Sequence, residues 1–332
     1  MKDLLTRLYK LQTLPYQEAK NILLEIGEGK HNYLQIASFL TVFNMRSLTT
    51  EELRGFRDAM LDLAVKIDLG EFDAVDIVGT GGDGKNTFNI STTASFVVAG
   101  AGYKIAKHGN YGVSSTSGSS NVLEYLGVSF TRNANQLKRQ LEKSGFTILH
   151  APLFHPAMKY VAPVRRELGV RTFFNILGPL INPAQPKKQL LGVYNLELAR
   201  LYGHLYQQST LTYSIVHSID AYDEVSLTSP VKVISNQGEI LLHPRNFGFK
   251  RIGQHELDGG KTVSEAASIL VAVLKGESTE AQTNAVLANA ALAIKTLNPS
   301  FSLEDSLSEA KESVESGRAY QSLNKFISSN NY

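Results

Sequence analysis

The chain has 332 residues, of which 43% are hydrophobic and 19% are charged, and this composition is that of a folded globular protein and excludes an extended disordered chain. The formal net charge of +2 is too small for binding to nucleic acid or membranes through general positive charge, so any anion site must be local. The absence of cysteine excludes disulfides, thiolate metal sites and cysteine nucleophiles.

The first sixteen residues carry charged side chains throughout and lack the apolar core of a secretory signal. No stretch reaches the roughly 20 apolar residues that cross a bilayer as a helix. We therefore expect a cytoplasmic protein that binds neither membranes nor nucleic acid.

The N-terminal part of the chain shows only helical patterns. Three segments have apolar residues at helical spacing: 4–11, 19–26 and 33–45. Thr49 and Glu52 then form the pattern of a capping box, which opens a further helix to about residue 67. The pattern predicts a small helical domain or half-domain.

From residue 72 onward strand-like and helix-like segments alternate, which predicts a mainly parallel sheet with helices on its faces. The candidate strands are 75–78, 103–106, 146–151, 190–194, 213–217 and 231–234. The candidate helices are 91–100, 120–126, 134–143, 156–168, 196–207, 263–274, 279–296 and 303–316. An Asn236-Gln237-Gly238 turn predicts a hairpin near the end of the sheet. The proline-containing residues 172–186 break the alternation and predict a segment that crosses between domains.

The stretch from residue 76 to 127 is the most informative part of the sequence. An apolar run leads into a loop with glycines at 79, 81, 82 and 84, and Asn89-Ile90-Ser91-Thr92 then opens a helix. Lys107-His108-Gly109-Asn110 follows a short strand, and a Ser/Gly loop precedes a second helix at Ser119. Glycine-rich turns and helix starts direct free N–H groups at an anion. Two such junctions with a lysine between them predict a phosphorylated or diphosphorylated substrate.

The glycine loop has two other interpretations. A single glycine-rich turn after a strand is ordinary in α/β proteins, but the four motifs together are not. Residues 79–86 also read G-x-x-x-x-G-K-N, in which Asn86 stands where a P-loop needs Ser or Thr to hold Mg²⁺. Thr87 comes one place late, and Asp83 would oppose bare phosphate without a cation or sugar hydroxyl nearby. A nucleoside triphosphatase is therefore not favoured.

Several residues have side chains suited to chemistry, and for each a structural role stays open. Asp223 and Glu224 follow a predicted strand and suit Mg²⁺, with the Ser91 hydroxyl as a further ligand, or they are solvated surface. Lys107 and His108 are anion ligands or a strand end that reaches solvent. Asn110 contacts a ligand or holds its turn.

The remaining candidates are arginines and histidines. Arg165, Arg166 and Arg171 lie on or near the predicted helix from residue 156, and an arginine among them suits a carboxylate. His150 and His155 are expected to pack or cap. No nucleophile–base arrangement is visible in the sequence.

Taken together, these motifs resemble those of the anthranilate phosphoribosyltransferases, which join anthranilate to phosphoribosyl pyrophosphate in tryptophan biosynthesis. The resemblance spans essentially the whole chain. Its motifs are GTGGD (79–83), NIST (89–92), KHGN (107–110), SGS (117–119), VRRELGVRTFFNILGPLINP (164–183) and DE (223–224).

The resemblance implies a role for each matching residue. The residues that it places at the phosphoribosyl pyrophosphate site are Gly79, Gly82, Asp83, Thr87, Asn89, Ile90, Ser91, Thr92, Lys107, His108, Gly109, Ser115 and Ser119. Asn110 and Arg165 would contact anthranilate, with Arg165 at its carboxylate, and these two residues together with Lys107 would be catalytic. Ser91, Asp223 and Glu224 would hold two Mg²⁺ ions per subunit.

The resemblance also implies an architecture like that of the nucleoside phosphorylases and phosphoribosyltransferases. A small, mostly helical domain would comprise residues 1–70 and about 159–188, and a large α/β domain with a mainly parallel sheet would comprise 71–158 and 189–332. Family members are usually homodimers that associate through the small domain.

Three positions depart from the family pattern. Tyr111 follows KHGN where arginine is common, Asn121 replaces an acid, and Ser218 replaces a glycine. The alternatives are a paralogue with another acceptor, a nucleoside phosphorylase, or a non-catalytic nucleic-acid-binding relative. The last should show a basic face and a damaged DE pair, whereas this chain is nearly neutral and keeps the pair.

Overall fold

A computed structural model describes residues 1–112 and 117–330 of the chain. The helices are α1 (Lys2–Leu8), α2 (Tyr16–Gly27), α3 (Tyr33–Met45), α4 (Thr50–Leu63), α5 (Ile90–Gly100), α6 (Ser119–Tyr125), α7 (Ala134–Ser144), α8 (Ala151–Phe154), α9 (Ala162–Leu168), α10 (Phe174–Leu177), α11 (Leu196–Gln207), α12 (Val263–Lys275), α13 (Glu280–Leu297), α14 (Leu303–Glu315) and α15 (Arg318–Ser328). The strands are β1 (Val75–Gly79), β2 (Ile105–Gly109), β3 (Phe146–His150), β4 (Lys188–Gly192), β5 (Thr212–Ser218), β6 (Val231–Ser235) and β7 (Gly238–Leu242).

The chain forms two compact units. The helical unit comprises Met1–Lys66 and Ala151–Gln185, and the α/β unit comprises residues 67–150 and the chain from Pro186 onward. The returning segment of the helical unit therefore starts earlier than the predicted residue 159. Val65 N–H donates to the Phe154 carbonyl at 2.8 Å, and this bond fixes α8 to the helical unit.

The helical unit packs around a cluster of aromatic rings. Phe56 stacks on Phe173 with 4.5 Å between the ring centroids, and the rings of Phe39 and Phe43 meet Phe173 edge to face. Aromatic pairs of this kind add about 0.5–1.5 kcal/mol beyond the burial of their area. The cluster joins α3 and α4 to the returning segment, which explains why that segment belongs to this unit.

The capping box predicted at the start of α4 is present. The Thr49 hydroxyl accepts from Glu52 N–H at 3.2 Å, and the Glu52 carboxylate accepts from Thr49 N–H at 3.0 Å. The first helix is shorter than predicted, because it ends at Leu8 and Leu11 lies beyond it with φ of +60°.

The α/β unit contains a seven-stranded sheet with the order β3-β2-β1-β4-β5-β6-β7. The pairs from β3 to β5 are parallel, and β5-β6 and β6-β7 are antiparallel. The fold class predicted from the sequence is confirmed, and so is the hairpin. Core residues from α5, α12, α13, α14 and α15 pack with those of the sheet.

Three predictions of secondary structure are wrong. Residues 156–168 form a 3₁₀ turn and then α9, because Pro163 lacks the N–H that a continuous helix would need. The sequence analysis assigned no element after residue 316, yet α15 follows and buries Ala319, Leu323 and Phe326. Strand β2 extends to Gly109, so Lys107 and His108 lie within it.

No helix among residues 1–112 and 117–330 is long and apolar enough to cross a membrane.

The order of the strands reverses direction at β1. Strands β2 and β3 follow β1 on one side, whereas β4 and β5 lie on its other side. At such a switch point the loops after neighbouring strands leave in opposite directions and open a crevice at the carboxyl ends of the strands. Gly79 and Gly192 are paired residues at the ends of β1 and β4 and lie at this crevice.

Candidate active site

Asp223 lies against the ends of β1 and β4, where only glycine leaves enough space. A Cβ atom built on Gly79 would lie 2.2 Å from Asp223 Oδ2, and one built on Gly192 would lie 1.6 Å from the Asp223 carbonyl oxygen. No side chain fits at Gly192, and a side chain at Gly79 would displace the Asp223 carboxylate. Gly79 and Gly192 therefore allow the loop after β5 to reach across β4 to the end of β1.

Asp223 and Glu224, called here the carboxylate pair, are hydrogen-bonded to two other parts of the crevice. Gly81 N–H donates to Asp223 Oδ2 at 2.7 Å, and Ser91 N–H donates to Glu224 Oε1 at 3.4 Å. Ser91 lies in the first turn of α5, where the helix dipole favours negative charge. The glycine loop (residues 79–84), the start of α5 and the carboxylate pair thus form one site.

It is electrostatically unfavourable for both carboxylates of the pair to be ionised. Burial and the negative charge of Asp83 raise the pKa of Asp223 to about 6. Burial and the charge of Asp223 raise the pKa of Glu224 well above its ordinary value. Buried carboxylates that repel one another are stabilised as anions by a cation.

Lys107 supplies positive charge beneath the site. Its side chain is 2% exposed, and its ammonium group donates to the Ile77 carbonyl and to Ser91 Oγ, the latter at 3.5 Å. Burial lowers the pKa of Lys107, while the charges of Asp76 and the carboxylate pair oppose that shift. Because Lys107 is buried within β2, the interpretation as a solvent-exposed strand end is wrong.

Asp76 is a site residue that the sequence analysis missed. It is fully buried in β1, and its Oδ1 accepts from His108 N–H at 3.1 Å. Asp76 is a charged residue within the apolar run Val75–Gly79, and this feature of the sequence could have indicated a functional role. His108 is 5% exposed, so it does not reach solvent either.

The second half of the glycine-rich segment does not form a P-loop. Asn86 Nδ2 donates to the Gly260 carbonyl at 2.8 Å and to Asp258 Oδ1 at 3.2 Å. Thr87 forms a β-bridge with Asp258, and Lys85 Nζ lies 4.8 Å from the ring centroid of Tyr222. Asn86 and Thr87 thus fasten the loop to the turn at 257–260, and Lys85 is directed at Tyr222, so neither a lysine nor a hydroxyl has the P-loop arrangement.

Asn89 acts differently from the helix cap that its position predicts. Its side chain makes no capping hydrogen bond to α5. Instead Asn89 Nδ2 donates to the Ser117 carbonyl at 3.1 Å, and the Ser117 hydroxyl donates to Asn89 Oδ1 at 3.3 Å. Asn89 thereby ties the first loop to the second, and Ser117 is a further residue that the sequence analysis did not select.

Asn110 is held in place by hydrogen bonds to its backbone carbonyl and to its side-chain oxygen. Its carbonyl accepts from Ser120 N–H at 3.1 Å and from the Ser119 hydroxyl at 3.4 Å, and its Oδ1 accepts from Tyr111 N–H at 2.8 Å. Within residues 1–112 and 117–330, no group accepts a hydrogen bond from Asn110 Nδ2. This nitrogen is therefore available to donate to a ligand. Ser115 lies outside the described residues.

Two departures from the family pattern have clear contacts. Asn121 Oδ1 accepts from Gly112 N–H and Gly118 N–H, both at 2.9 Å, which an acid at this position would also do. The Tyr111 hydroxyl donates to Glu124 at 3.2 Å, and its ring meets the ring of His150 edge to face. The third departure, Ser218, contacts the loop that carries the carboxylate pair.

Other predicted site residues differ in what they offer to a ligand. Ile90 and Thr92 are buried in α5, and the Ile90 side chain belongs to the hydrophobic core, so Ile90 offers a ligand only its backbone. Gly82 has φ of +75°, a left-handed conformation that favours glycine. Thr80 Oγ1 is buried and receives no hydrogen bond from the part of the chain that the structure describes.

Arg165 lies in α9 of the helical unit. Its Nη2 donates to Asn175 Oδ1 at 3.2 Å, and its guanidinium carbon lies 5.6 Å from the ring centroid of Phe174. Burial lowers the pKa of Arg165, although an arginine stays charged at neutral pH. No described residue accepts from Nε or Nη1, so these groups remain for a carboxylate. Arg166 is exposed.

Comparison with known proteins identifies the class. Residues 2–64 match the helical bundle domain of the glycosyl transferase family, and residues 71–320 match its a/b domain. The fold and the charged crevice thus define a glycosyl transferase built from a helical bundle and an α/β domain.

Individual proteins that are similar to this chain identify one family within the class. The anthranilate phosphoribosyltransferase of Christiangramia forsetii is 56% identical over 325 residues, which are 98% of each chain. The crystal structure of the Thermus thermophilus enzyme of that name has a TM-score of 0.92 at 33% identity and covers 99% of both chains. The chain belongs to the anthranilate phosphoribosyltransferase family.

Two structures of the Saccharomyces cerevisiae enzyme contain ligands. The structure in complex with phosphoribosyl pyrophosphate and Mg has a TM-score of 0.87 at 31% identity, and the structure with 4-fluoroanthranilate has a TM-score of 0.85 at 30% identity. Each alignment covers 95% of this chain and 93% of the yeast chain.

Proposed function

We propose that the protein transfers the 5-phosphoribosyl group from phosphoribosyl pyrophosphate to the amine of anthranilate and releases pyrophosphate, a step of L-tryptophan biosynthesis. The observation that carries the proposal is the crevice at the switch point of the sheet. There a glycine loop, two helix starts, a buried lysine and a carboxylate pair are brought together, in a chain of this family.

The donor would be bound mainly by backbone N–H groups and by Lys107. The glycine loop and the starts of α5 and α6 supply the N–H groups, and Lys107 supplies positive charge from below. The residues assigned to the donor are those that the motifs predict: Gly79, Gly82, Asp83, Thr87, Asn89, Ile90, Ser91, Thr92, Lys107, His108, Gly109, Ser115 and Ser119. Many fixed donors suit a group with several negative charges.

We assign Mg²⁺ to Asp223, Glu224 and Ser91, with two ions per subunit. Within the described residues no three His, Cys, Asp or Glu side chains form a metal-binding cluster. The residues present nevertheless fit Mg²⁺, because this ion is usually held by one or two carboxylates together with water and substrate phosphates. Burial and neighbouring negative charges raise the pKa values of the carboxylate pair, and a bound cation would stabilise both carboxylates as anions. When bound, Mg²⁺ would neutralise the charge of the departing pyrophosphate.

Asn110 and Arg165 are assigned to anthranilate. Arg165 retains N–H groups that can form a fork around the carboxylate, and Asn110 retains the amide N–H of Nδ2. An arginine fork fixes the plane of an aromatic acid and so orients its amine. The yeast structure with 4-fluoroanthranilate supports an acceptor of this type.

The chain's residues suit a reaction that needs positioning more than proton transfer. The bond from C1 of the ribose to pyrophosphate breaks with oxocarbenium character, as in glycosyl transfer generally, and the amine forms the new bond to C1 and releases one proton to the solvent. The amine of anthranilate is already neutral near pH 7, so its attack needs no strong base. Lys107 and the loop N–H groups stabilise charge on the leaving group, and Asn110 and Arg165 hold the acceptor.

We further propose a homodimer that forms through the helical unit, with the cytoplasm as its compartment. Large apolar side chains are exposed on this unit: Tyr9, Leu11, Tyr33, Leu34 and Met45. Exposed apolar side chains mark a protein interaction site where they form one contiguous patch. Sedimentation should show a dimer that Leu34→Glu dissociates; a monomeric wild type would refute this assignment.

A fluorescence assay tests the reaction. The purified protein is mixed with phosphoribosyl pyrophosphate, Mg²⁺ and anthranilate, and the loss of anthranilate emission is followed, with EDTA as the control. Metal-dependent loss is expected. If emission persists while the donor still binds, the acceptor is wrong and a paralogue is indicated. Phosphorolysis of a nucleoside would instead indicate a nucleoside phosphorylase.

A further inference from the structure

The loop that carries the carboxylate pair is held by a side chain at its base. Ser218 is fully buried at the end of β5. Its hydroxyl donates to the Glu224 carbonyl at 2.6 Å and accepts from Ser226 N–H at 3.2 Å. A glycine at position 218 could form neither bond. Ser218 thus closes the chain around Val225, immediately after the pair.

A second side chain holds the peptide groups between those two bonds. Asn289 on α13 accepts from Val225 N–H at 3.0 Å and donates to the Val225 carbonyl at 2.9 Å. Its Nδ2 also donates to the Ala285 carbonyl at 2.8 Å, and the residue is 3% exposed. Ser218 and Asn289 together therefore bind four consecutive backbone groups, from the Glu224 carbonyl to Ser226 N–H.

The loop needs such support because its own conformation is unfavourable. Ala221 has φ of +74° and Leu227 has φ of +61°, and neither is a glycine. Residues with side chains are disfavoured in this left-handed region. The buried carboxylates also repel each other until a cation arrives. Without support the chain would relax, and Asp223 and Glu224 would move apart.

We propose that Ser218 and Asn289 are positioning residues that hold Asp223 and Glu224 ready for a divalent cation before the cation binds. This rests on the proposed function, in which the carboxylate pair ligates the metal. Neither positioning residue contacts the substrate or the metal. They act through the backbone of Glu224, Val225 and Ser226, as outer residues that orient metal ligands commonly do.

The test measures metal binding directly. Mn²⁺, which prefers the same oxygen ligands as Mg²⁺, is titrated into the purified full-length chain with saturating phosphoribosyl pyrophosphate, and free Mn²⁺ is read by electron paramagnetic resonance. The variants are Asn289→Ala and Ser218→Gly, with Asp223→Ala as the reference that removes a ligand. Circular dichroism and thermal unfolding confirm that each variant is folded.

Thr296→Val is the matched control. Thr296 also lies on α13, and its buried hydroxyl donates to the Leu292 carbonyl and is hydrogen-bonded to Ser214 Oγ at 2.7 Å, which ties the helix to β5 away from the carboxylate pair. Its loss removes a buried hydrogen bond between the same helix and the sheet. A general loosening of α13 would therefore affect Mn²⁺ binding equally in Thr296→Val and Asn289→Ala.

We expect Asn289→Ala to weaken Mn²⁺ binding about 10- to 100-fold and Ser218→Gly severalfold, with Thr296→Val like the wild type. The activity of both variants should recover at high Mg²⁺, because the ligands themselves are intact. If Asn289→Ala does not fold, the Mn²⁺ affinity of Ser218→Gly alone tests the positioning role.

Two results would overturn the proposal, and they differ in what else they reject. If Asp223→Ala abolishes Mn²⁺ binding but Asn289→Ala and Ser218→Gly bind like the wild type, the positioning role is wrong and the metal site stands. If Asp223→Ala also binds like the wild type, the assigned metal site fails together with the positioning role.

Discussion

The two units of the molecule provide different kinds of binding groups for a substrate. In the α/β unit the crevice contains several buried charged groups, which are fixed by backbone hydrogen bonds to the glycine loop and to α5. In the helical unit the Arg165 guanidinium lies 5.6 Å from the ring centroid of Phe174, and Asn175 is the one described side chain that accepts a hydrogen bond from it. On the proposed assignment, many fixed donors bind the donor substrate with its many charges, and one arginine fork binds the single carboxylate of anthranilate. Substitutions of Lys107 in one unit and of Arg165 in the other should therefore affect different kinetic constants.

The largest effect is expected for Lys107→Ala. Removal of a buried cation that stabilises the leaving pyrophosphate should lower kcat/KM for phosphoribosyl pyrophosphate by about 10²- to 10³-fold. Steady-state kinetics with varied donor measure this. Lys104→Ala is the control, because Lys104 donates to the Leu141 carbonyl and lies outside the crevice. Equal kinetics for Lys107→Ala and wild type would remove Lys107 from the donor site.

A smaller and more selective effect is expected for Arg165→Ala. Loss of hydrogen bonds to a charged group costs about 1.5–3 kcal/mol, so KM for anthranilate should rise roughly 10- to 150-fold. The donor KM should stay unchanged. Arg166→Ala removes an exposed charge from the next position and serves as the control. A rise in donor KM equal to that for anthranilate would contradict the separation of the two units' roles.

The carboxylate pair should make the metal requirement depend on pH. A raised carboxyl pKa means that the protonated form is favoured, and a proton must leave before the metal binds. Below about pH 6, where Asp223 holds its proton, the Mg²⁺ concentration for half-maximal rate should therefore rise up to tenfold per pH unit. Rates at varied Mg²⁺ between pH 8 and 5.5 measure this. A constant requirement would show that the pair does not ligate the metal.

The smallest effect concerns the helical unit alone. Thr49→Ala removes the capping bond at the start of α4 and should lower the free energy of unfolding by about 1 kcal/mol. Urea denaturation measures it, with Thr50→Ala as the control. Both Michaelis constants should remain those of the wild type, since Thr49 is remote from every assigned site residue in sequence. A changed donor KM would mean that the stability of this unit and donor binding are coupled.

The local patterns of the sequence predicted much of this structure. The apolar period predicted α2, α3 and most helices of the α/β unit, and the Thr49/Glu52 pattern predicted a cap that is present. Periodicity works because an element buries the face that its own residues define. The pattern of Ala319, Ser322, Leu323 and Phe326 could have predicted α15 in the same way.

The sequence by itself determined the family and the class of ligand, because glycine loops, helix starts and a lysine act through groups close together in the chain. Only the tertiary structure decided that Asn89 binds Ser117 rather than capping α5, and that Lys107 is buried over Asp76. It alone placed Asp223 against Gly79 and Gly192, and Asn289 against Val225. These contacts join residues far apart in sequence, and they depend on the order of the strands, which no local pattern encodes.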